Sequence, residues 1–138
     1  MKKSTYVLLA LVLVFSVQAQ NKKNLKKEVI SSVEIQKNAL IDISDTIWGA
    51  AEIAFQEMVS SETLIAYAKA NGFEVEVGVA ETPTAFVATY GSGKPVIGIL
   101  GEFDALPGLS QKTTPNKTPL VKGAAGHGCG HNLFGTAS

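Results

Sequence analysis

A short segment near the C-terminal end, residues 126–132 (GHGCGHN), constrains what this sequence can fold into more than any other. It contains the only cysteine and both histidines of the 138 residues, together with three glycines. Thiolate and imidazole groups are ligands that a borderline-soft ion such as Zn²⁺ accepts, and glycines add no bulk around them. In an extended segment His127, Cys129 and His131 project to the same side. The spacing therefore predicts that Cys129 and His131 bind a metal ion, with His127 as a third candidate.

Two other interpretations of Cys129 stay open from spacing alone. The thiol could be inert and packed as a small hydrophobe, or it could be a nucleophile with a neighbouring histidine as its base. Gly128 and Gly130 offer no apolar side chain for packing, which favours a functional thiolate. A nucleophile and base so close in sequence rarely reach the required geometry, so metal binding is the favoured interpretation.

The balance of charges argues against a nucleic-acid partner. Lys and Arg together number 12, as do Asp and Glu, so the formal net charge is zero. A nucleic-acid footprint needs a clustered basic face. The one basic cluster, KKNLKK at residues 22–27, is typical of a solvated run next to an N-terminal segment.

The N-terminus has the pattern of an export signal. Lys2 and Lys3 precede an apolar run at residues 6–17. Val17 and Ala19 are small or compact residues at the two positions that a signal peptidase reads, so cleavage is expected after Ala19. We expect a signal peptide at residues 1–19, a polar linker at 20–27 and export, most simply to a periplasm. The alternative is an uncleaved membrane anchor, although the apolar run is shorter than the ~20 residues that span a bilayer.

Two helices are predicted in the first half of the chain. Apolar residues recur at near-helical spacing between residues 28 and 48. A second helix is expected to begin at an N-cap, Ser60 or Ser61, and to end in a left-handed cap at Asn71-Gly72.

Three strands are predicted after the helices. Residues 73–77 alternate apolar and acidic side chains, and residues 84–90 are rich in β-branched and aromatic types. The wholly apolar run at residues 96–100 predicts a strand buried on both faces. Helices followed by strands indicate an α/β fold, a mixed sheet flanked by helices.

Two carboxylates follow the predicted buried strand. Glu102 and Asp104 stand where a strand leaves the sheet, which is where open α/β sheets bind ligands. A solvated turn with Asp104 as a local cap is the competing interpretation. The position directly after an apolar strand favours a functional pair, because a buried carboxylate needs a partner.

Two motifs resemble a known family. Residues 98–111 (GILGEFDALPGLSQ) and 126–133 (GHGCGHNL) occur in the order seen in metal-dependent amidohydrolases of the aminobenzoyl-glutamate utilization type, relatives of aminoacylases, carboxypeptidases and auxin-conjugate hydrolases. The resemblance extends over residues 40–138. It implies that residues 28–138 form the N-terminal portion of a metallopeptidase-type catalytic domain, incomplete and truncated.

The resemblance also implies roles for individual residues. Cys129 and His131 match the ligands of a pair of divalent ions, Zn²⁺ or Mn²⁺, and Asp104 matches a residue that orients a ligand. Glu102 stands where distant relatives carry a ligating histidine. We expect Glu102 and His127 to support the ligands, and direct binding of an ion by the Glu102 carboxylate is the less favoured alternative.

The implied activity is hydrolysis of an amide in an N-acyl amino acid or a p-aminobenzoyl-glutamate-like molecule. The general-base Glu and the other ligands of the family come later than Ser138, so we expect the isolated chain to be inactive. A non-catalytic metal- or partner-binding module is the alternative, and a thiol hydrolase using Cys129 is a weaker one. Expected partners are a small amide substrate and a second copy or homologous subunit.

Overall fold

The structure, a computed structural model, describes the backbone of residues 2–138 and the side chains of residues 22–138. Its elements in chain order are α1 (Lys2–Ala50), α2 (Met58–Ala70), β1 (Glu74–Val77), a 3₁₀ turn (Val79–Glu81), β2 (Phe86–Thr89) and α3 (His131–Ala137). Helices with a small strand pair place the chain in the α/β class, as predicted. The chain divides into two compact units, Met1–Asn38 and Ala39–Ser138.

Helix α1 contains the predicted helix at residues 28–48 and extends beyond it in both directions. The first Gly or Pro of the sequence is Gly49, so nothing earlier interrupts a helix. Ala51 then adopts a φ of +46° and turns the chain. The polar residues expected as a linker lie within α1. The predicted signal peptide at residues 1–19 lies outside the residues whose side chains are described.

The described part of unit Met1–Asn38 is a solvated helical face. Its side chains are almost all exposed, and Lys37 pairs with Glu34 at 3.2 Å, one helical turn away. Among the described residues of the chain, no helix has the length and apolarity needed to cross a membrane.

Helix α2 begins two residues before the predicted cap. Ser60 and Ser61 lie inside its first turn, and the carboxylate of Glu52 caps the helix instead. Glu52 accepts hydrogen bonds from the N–H groups of Val59 and Ser60, both at 2.9 Å. The predicted end is confirmed, with Gly72 at a φ of +86° following the helix.

Strands β1 and β2 form a two-stranded antiparallel sheet. Glu74 pairs with Thr89 and Val77 with Phe86, within the two strands predicted at residues 73–77 and 84–90. The Phe86 ring stacks on that of Phe103 at a centroid distance of 6.0 Å, linking β2 to the carboxylate segment.

The prediction of a buried strand at residues 96–100 was wrong. Val96, Ile97, Ile99 and Leu100 are between 75 and 84% exposed, and the segment belongs to no strand of the described chain. A strand needs a neighbour for its backbone hydrogen bonds. The described residues form one sheet of two strands, β1 and β2, and neither pairs with this segment.

The small core of unit Ala39–Ser138 lies at the C-terminal end of α1. Ile43, Ile47 and Ala105 are the buried apolar side chains among those described. Ala105 forms a parallel bridge with Ile53, and its N–H donates to the carbonyl of Glu52 at 2.7 Å. The loop after α1 therefore fixes the backbone immediately next to Asp104.

Candidate functional site

The imidazole of His131 lies between two carboxylates. Its Nδ1 is 2.8 Å from Oδ1 of Asp104, and its Nε2 is 3.0 Å from Oε2 of Glu102. The His131 and Asp104 side chains are mostly shielded, whereas Glu102 is half exposed. The structure thus brings together three of the residues that the sequence singled out, and we call them the carboxylate–histidine cluster (Glu102, Asp104 and His131).

Close backbone approach positions this cluster. His131 is the first residue of α3, and Gly130 caps the helix in the left-handed conformation at a φ of +86°. On the next turn of α3, a Cβ at Gly135 would lie 2.9 Å from the carbonyl oxygen of Glu102. Only a residue without a side chain lets the helix approach the carboxylate segment this closely.

The expected extended conformation of residues 126–132 was wrong. Leu106 and Gly126 form an antiparallel bridge, the chain turns at Gly128 and Cys129, and α3 begins at His131. Because of this turn, the side chains of the two histidines point in different directions. His131 faces the carboxylates, and His127 packs into the interior.

His127 is buried against the end of α1. Its Nε2 lies 3.0 Å from the carbonyl oxygen of Ile47, and its ring centroid is 6.3 Å from that of Trp48. A carbonyl only accepts, so Nε2 carries the proton and donates it. Nδ1 is buried with no hydrogen-bond partner. Burial lowers the pKa of His127, nearby His131 lowers it further, and the hydrogen bond to Ile47 opposes the change.

Cys129 lies in the turn that precedes α3. It is an exposed free thiol in the turn. Among the side chains of residues 22–138, no group of three or more His, Cys, Asp or Glu forms a ready metal site. The predicted ligand pair of Cys129 and His131 stays a prediction.

Some supporting contacts were missed from the sequence. Asn132 donates from Nδ2 to Oγ of Ser44 at 3.0 Å and ties α3 to α1. The carboxylate of Glu57 is buried and accepts from the Thr84 hydroxyl at 2.7 Å. These bonds join residues 27 and 88 positions apart, so local patterns carried no signal for them.

The donor chemistry of the cluster suits a divalent ion. A neutral imidazole that donates from Nδ1 to a carboxylate presents an unprotonated Nε2, the arrangement in which histidines ligate metals. Asp104 occupies the position of that carboxylate. The Nε2 of His131 and the Glu102 carboxylate are then two adjacent donors of types that Zn²⁺ accepts. Zn²⁺ or Mn²⁺ therefore fits the residues present, which supply part of a ligand set.

The fold and the cluster define an α/β chain that holds an imidazole between two carboxylates near the start of a C-terminal helix. The chain is similar to one of the subunits of p-aminobenzoyl-glutamate hydrolase from Escherichia coli (strain K12), with 45% identity over 108 residues. The match covers 78% of this chain and 22% of the relative, so the chain spans about a fifth of that protein's length. The similarity confirms the resemblance predicted from the two motifs. No family model matches the chain.

Proposed function

We propose that this chain contributes part of the catalytic domain of a metal-dependent enzyme that hydrolyses the amide of p-aminobenzoyl-glutamate or a similar N-acyl amino acid. The supporting observation is the 45% identity to a protein named as a hydrolase of that substrate. The carboxylate–histidine cluster adds chemistry that such an enzyme needs, because it offers an oriented imidazole beside carboxylates.

The proposed ligands are Cys129 and His131. A bound Zn²⁺ or Mn²⁺ supplies a Lewis acid that polarises the scissile carbonyl and lowers the pKa of a bound water. Asp104 accepts a hydrogen bond from Nδ1–H of His131 and so holds the ring in one tautomer and one orientation. His127 is buried and donates from Nε2 to the carbonyl of Ile47, which fastens the segment before the turn to the end of α1.

The test uses the product of the complete gene and measures glutamate release from p-aminobenzoyl-glutamate with and without a chelator. Activity should fall on chelation and return with added Zn²⁺ or Mn²⁺. Activity untouched by the chelator contradicts the proposal. Cys129→Ser separates the metal role from a thiol nucleophile, because the metal role predicts loss of bound metal together with activity. Loss of activity at unchanged metal content supports the nucleophile.

A partner subunit is a second proposal. The relative is named as a subunit of its hydrolase, which favours assembly with another subunit. The exposed apolar run at residues 96–100 is consistent with a chain that has further surface to cover. Light scattering of the complete gene product, alone and with a co-expressed homologous subunit, tests this. A monomer in both samples contradicts it.

Export is part of the proposal. Lys2, Lys3 and the apolar run at residues 6–17 motivate it. Mass spectrometry of the N-terminus from a periplasmic extract tests it, with cleavage after Ala19 as the expected result. An intact Met1 in the cytosolic fraction contradicts it.

A further inference from the structure

We propose that Glu102 binds the metal ion directly, on the same ion as His131, in place of the supporting role expected from the sequence. This inference rests on the proposed metal dependence. The two side chains come from different elements, since Glu102 precedes the bridge at Ala105 and His131 begins α3. Their facing atoms, Oε2 and Nε2, are 3.0 Å apart.

That separation suits two ligands of one ion. Two donor atoms, each about 2.1 Å from a Zn²⁺ ion and subtending about 90–110°, lie about 3.0–3.4 Å apart. The Oε2–Nε2 distance of 3.0 Å falls at the short end of this range. An ion can therefore enter between Glu102 and His131 with little movement of either backbone.

The contact at the opposite nitrogen supports the same role. Asp104 accepts a hydrogen bond from Nδ1 of His131 at 2.8 Å, so Nε2 is the nitrogen that faces Glu102. A metal ion bound at Nε2 takes the place of a proton there, and the Glu102 carboxylate beside it is a second donor for the same ion.

Solvent can reach this position. The Glu102 side chain is 51% exposed and that of His131 21%. Catalytic metal sites keep a coordination position open for water or substrate, whereas structural sites are closed. A carboxylate at the solvent-facing edge of the imidazole leaves such a position available.

The test compares Zn²⁺ affinity of the 138-residue chain and its variants by competition with a chromophoric chelator. Glu102→Gln keeps the shape and removes the ligand, and should weaken binding by more than about tenfold. Glu102→His removes the charge and supplies another donor, so it should bind within about tenfold of the original chain. Glu62→Gln, an exposed change on α2, is the matched control and should bind unchanged.

His131→Gln gives the reference for a lost ligand. Circular dichroism of each variant checks that the fold is retained, and the visible spectrum of bound Co²⁺ should change with Glu102→Gln and not with Glu62→Gln. If His131→Gln weakens binding and Glu102→Gln does not, Glu102 is no ligand and the proposed function stands. Equal loss in Glu102→Gln and Glu102→His would show an effect of charge and overturn the inference. Absence of Zn²⁺ binding by the original chain also overturns the inference. The proposed function is then tested separately, by the chelator assay on the complete gene product.

Discussion

Oδ1 of Asp104 lies 2.8 Å from Nδ1 of His131, although the two residues are 27 positions apart in the sequence. The bridge between Ile53 and Ala105 fixes the backbone on one side of this contact. The left-handed Gly130, which caps α3, fixes it on the other. Because both backbones are fixed and Asp104 occupies Nδ1, the His131 ring can present only Nε2 to a ligand or ion.

Replacing Asp104 by Ala should therefore weaken Zn²⁺ binding by the chain about 10–100-fold, the usual effect of removing the acceptor behind a ligating histidine. Chelator competition measures the change. Asp45→Ala is the matched control, because Asp45 is exposed on α1 and should leave the affinity unchanged. Equal affinities of the Asp104→Ala variant and the original chain would rule out an orienting role.

The Glu52 carboxylate should make the chain sensitive to acid. Burial by itself raises the pKa of Glu52, but hydrogen bonds from Val59 and Ser60 outweigh burial and hold the pKa below the ordinary value of 4.5. A carboxyl with a lowered folded pKa stabilises the fold at pH values above its unfolded pKa. That stabilisation is lost as the pH falls below about 4.5 and through the lower folded pKa.

Glu52→Gln should consequently lower the free energy of unfolding by about 1 kcal/mol at pH 7, the usual worth of a helix cap. The difference from the original chain should shrink as the pH falls below 4.5 and through the lowered folded pKa, because the carboxylate is then protonated in the folded state as well. Thermal unfolding at pH 7 and pH 3 measures it. A difference that is the same at both pH values would show that the charge of Glu52 does not cap α2.

Local pattern predicted those parts of the fold whose partners are close in sequence. Alternation predicted β1 and composition predicted β2, which pair across a short connection, and Asn71-Gly72 predicted the end of α2. The start of α2 was misplaced because its cap, Glu52, lies outside the helix and seven residues before its first partner. A capping side chain that lies several residues before a helix is not recognised when only the residues of the first helical turn are considered.

The candidate site, like the fold, was predicted from the sequence only in part. Position after an apolar run singled out Glu102 and Asp104, spacing from Cys129 singled out His131, and the structure brings the three together. The turn at Gly128 and Cys129 was missed because glycines permit extended and turned backbone alike. Residues 96–100 have the composition of a strand, yet a strand depends on a neighbour that a single apolar run cannot reveal.

The hydrogen bond between Asn132 and Ser44 should couple α3 to α1. The bond is buried and 3.0 Å long. Asn132→Ala and Ser44→Ala should each lower the free energy of unfolding by about 1–3 kcal/mol, since each leaves a buried polar group unpaired. The double variant should cost less than the sum by about 0.5–1.5 kcal/mol. Urea unfolding of the four proteins measures this coupling, and strict additivity would show that the bond contributes nothing.

Gly135 should be the glycine on which the carboxylate–histidine cluster depends. Gly→Ala inside a helix ordinarily stabilises by about 0.5–1 kcal/mol. At Gly49, in the last turn of α1, an added Cβ meets nothing within 4 Å, so Gly49→Ala should raise the melting temperature. At Gly135 the added Cβ would lie 2.9 Å from the Glu102 carbonyl oxygen and 2.9 Å from Cβ of Phe103, so α3 must move away. Gly135→Ala should therefore lower the melting temperature and weaken Zn²⁺ binding, because it separates His131 from Glu102. A rise in melting temperature for both variants would show that α3 does not depend on this close approach.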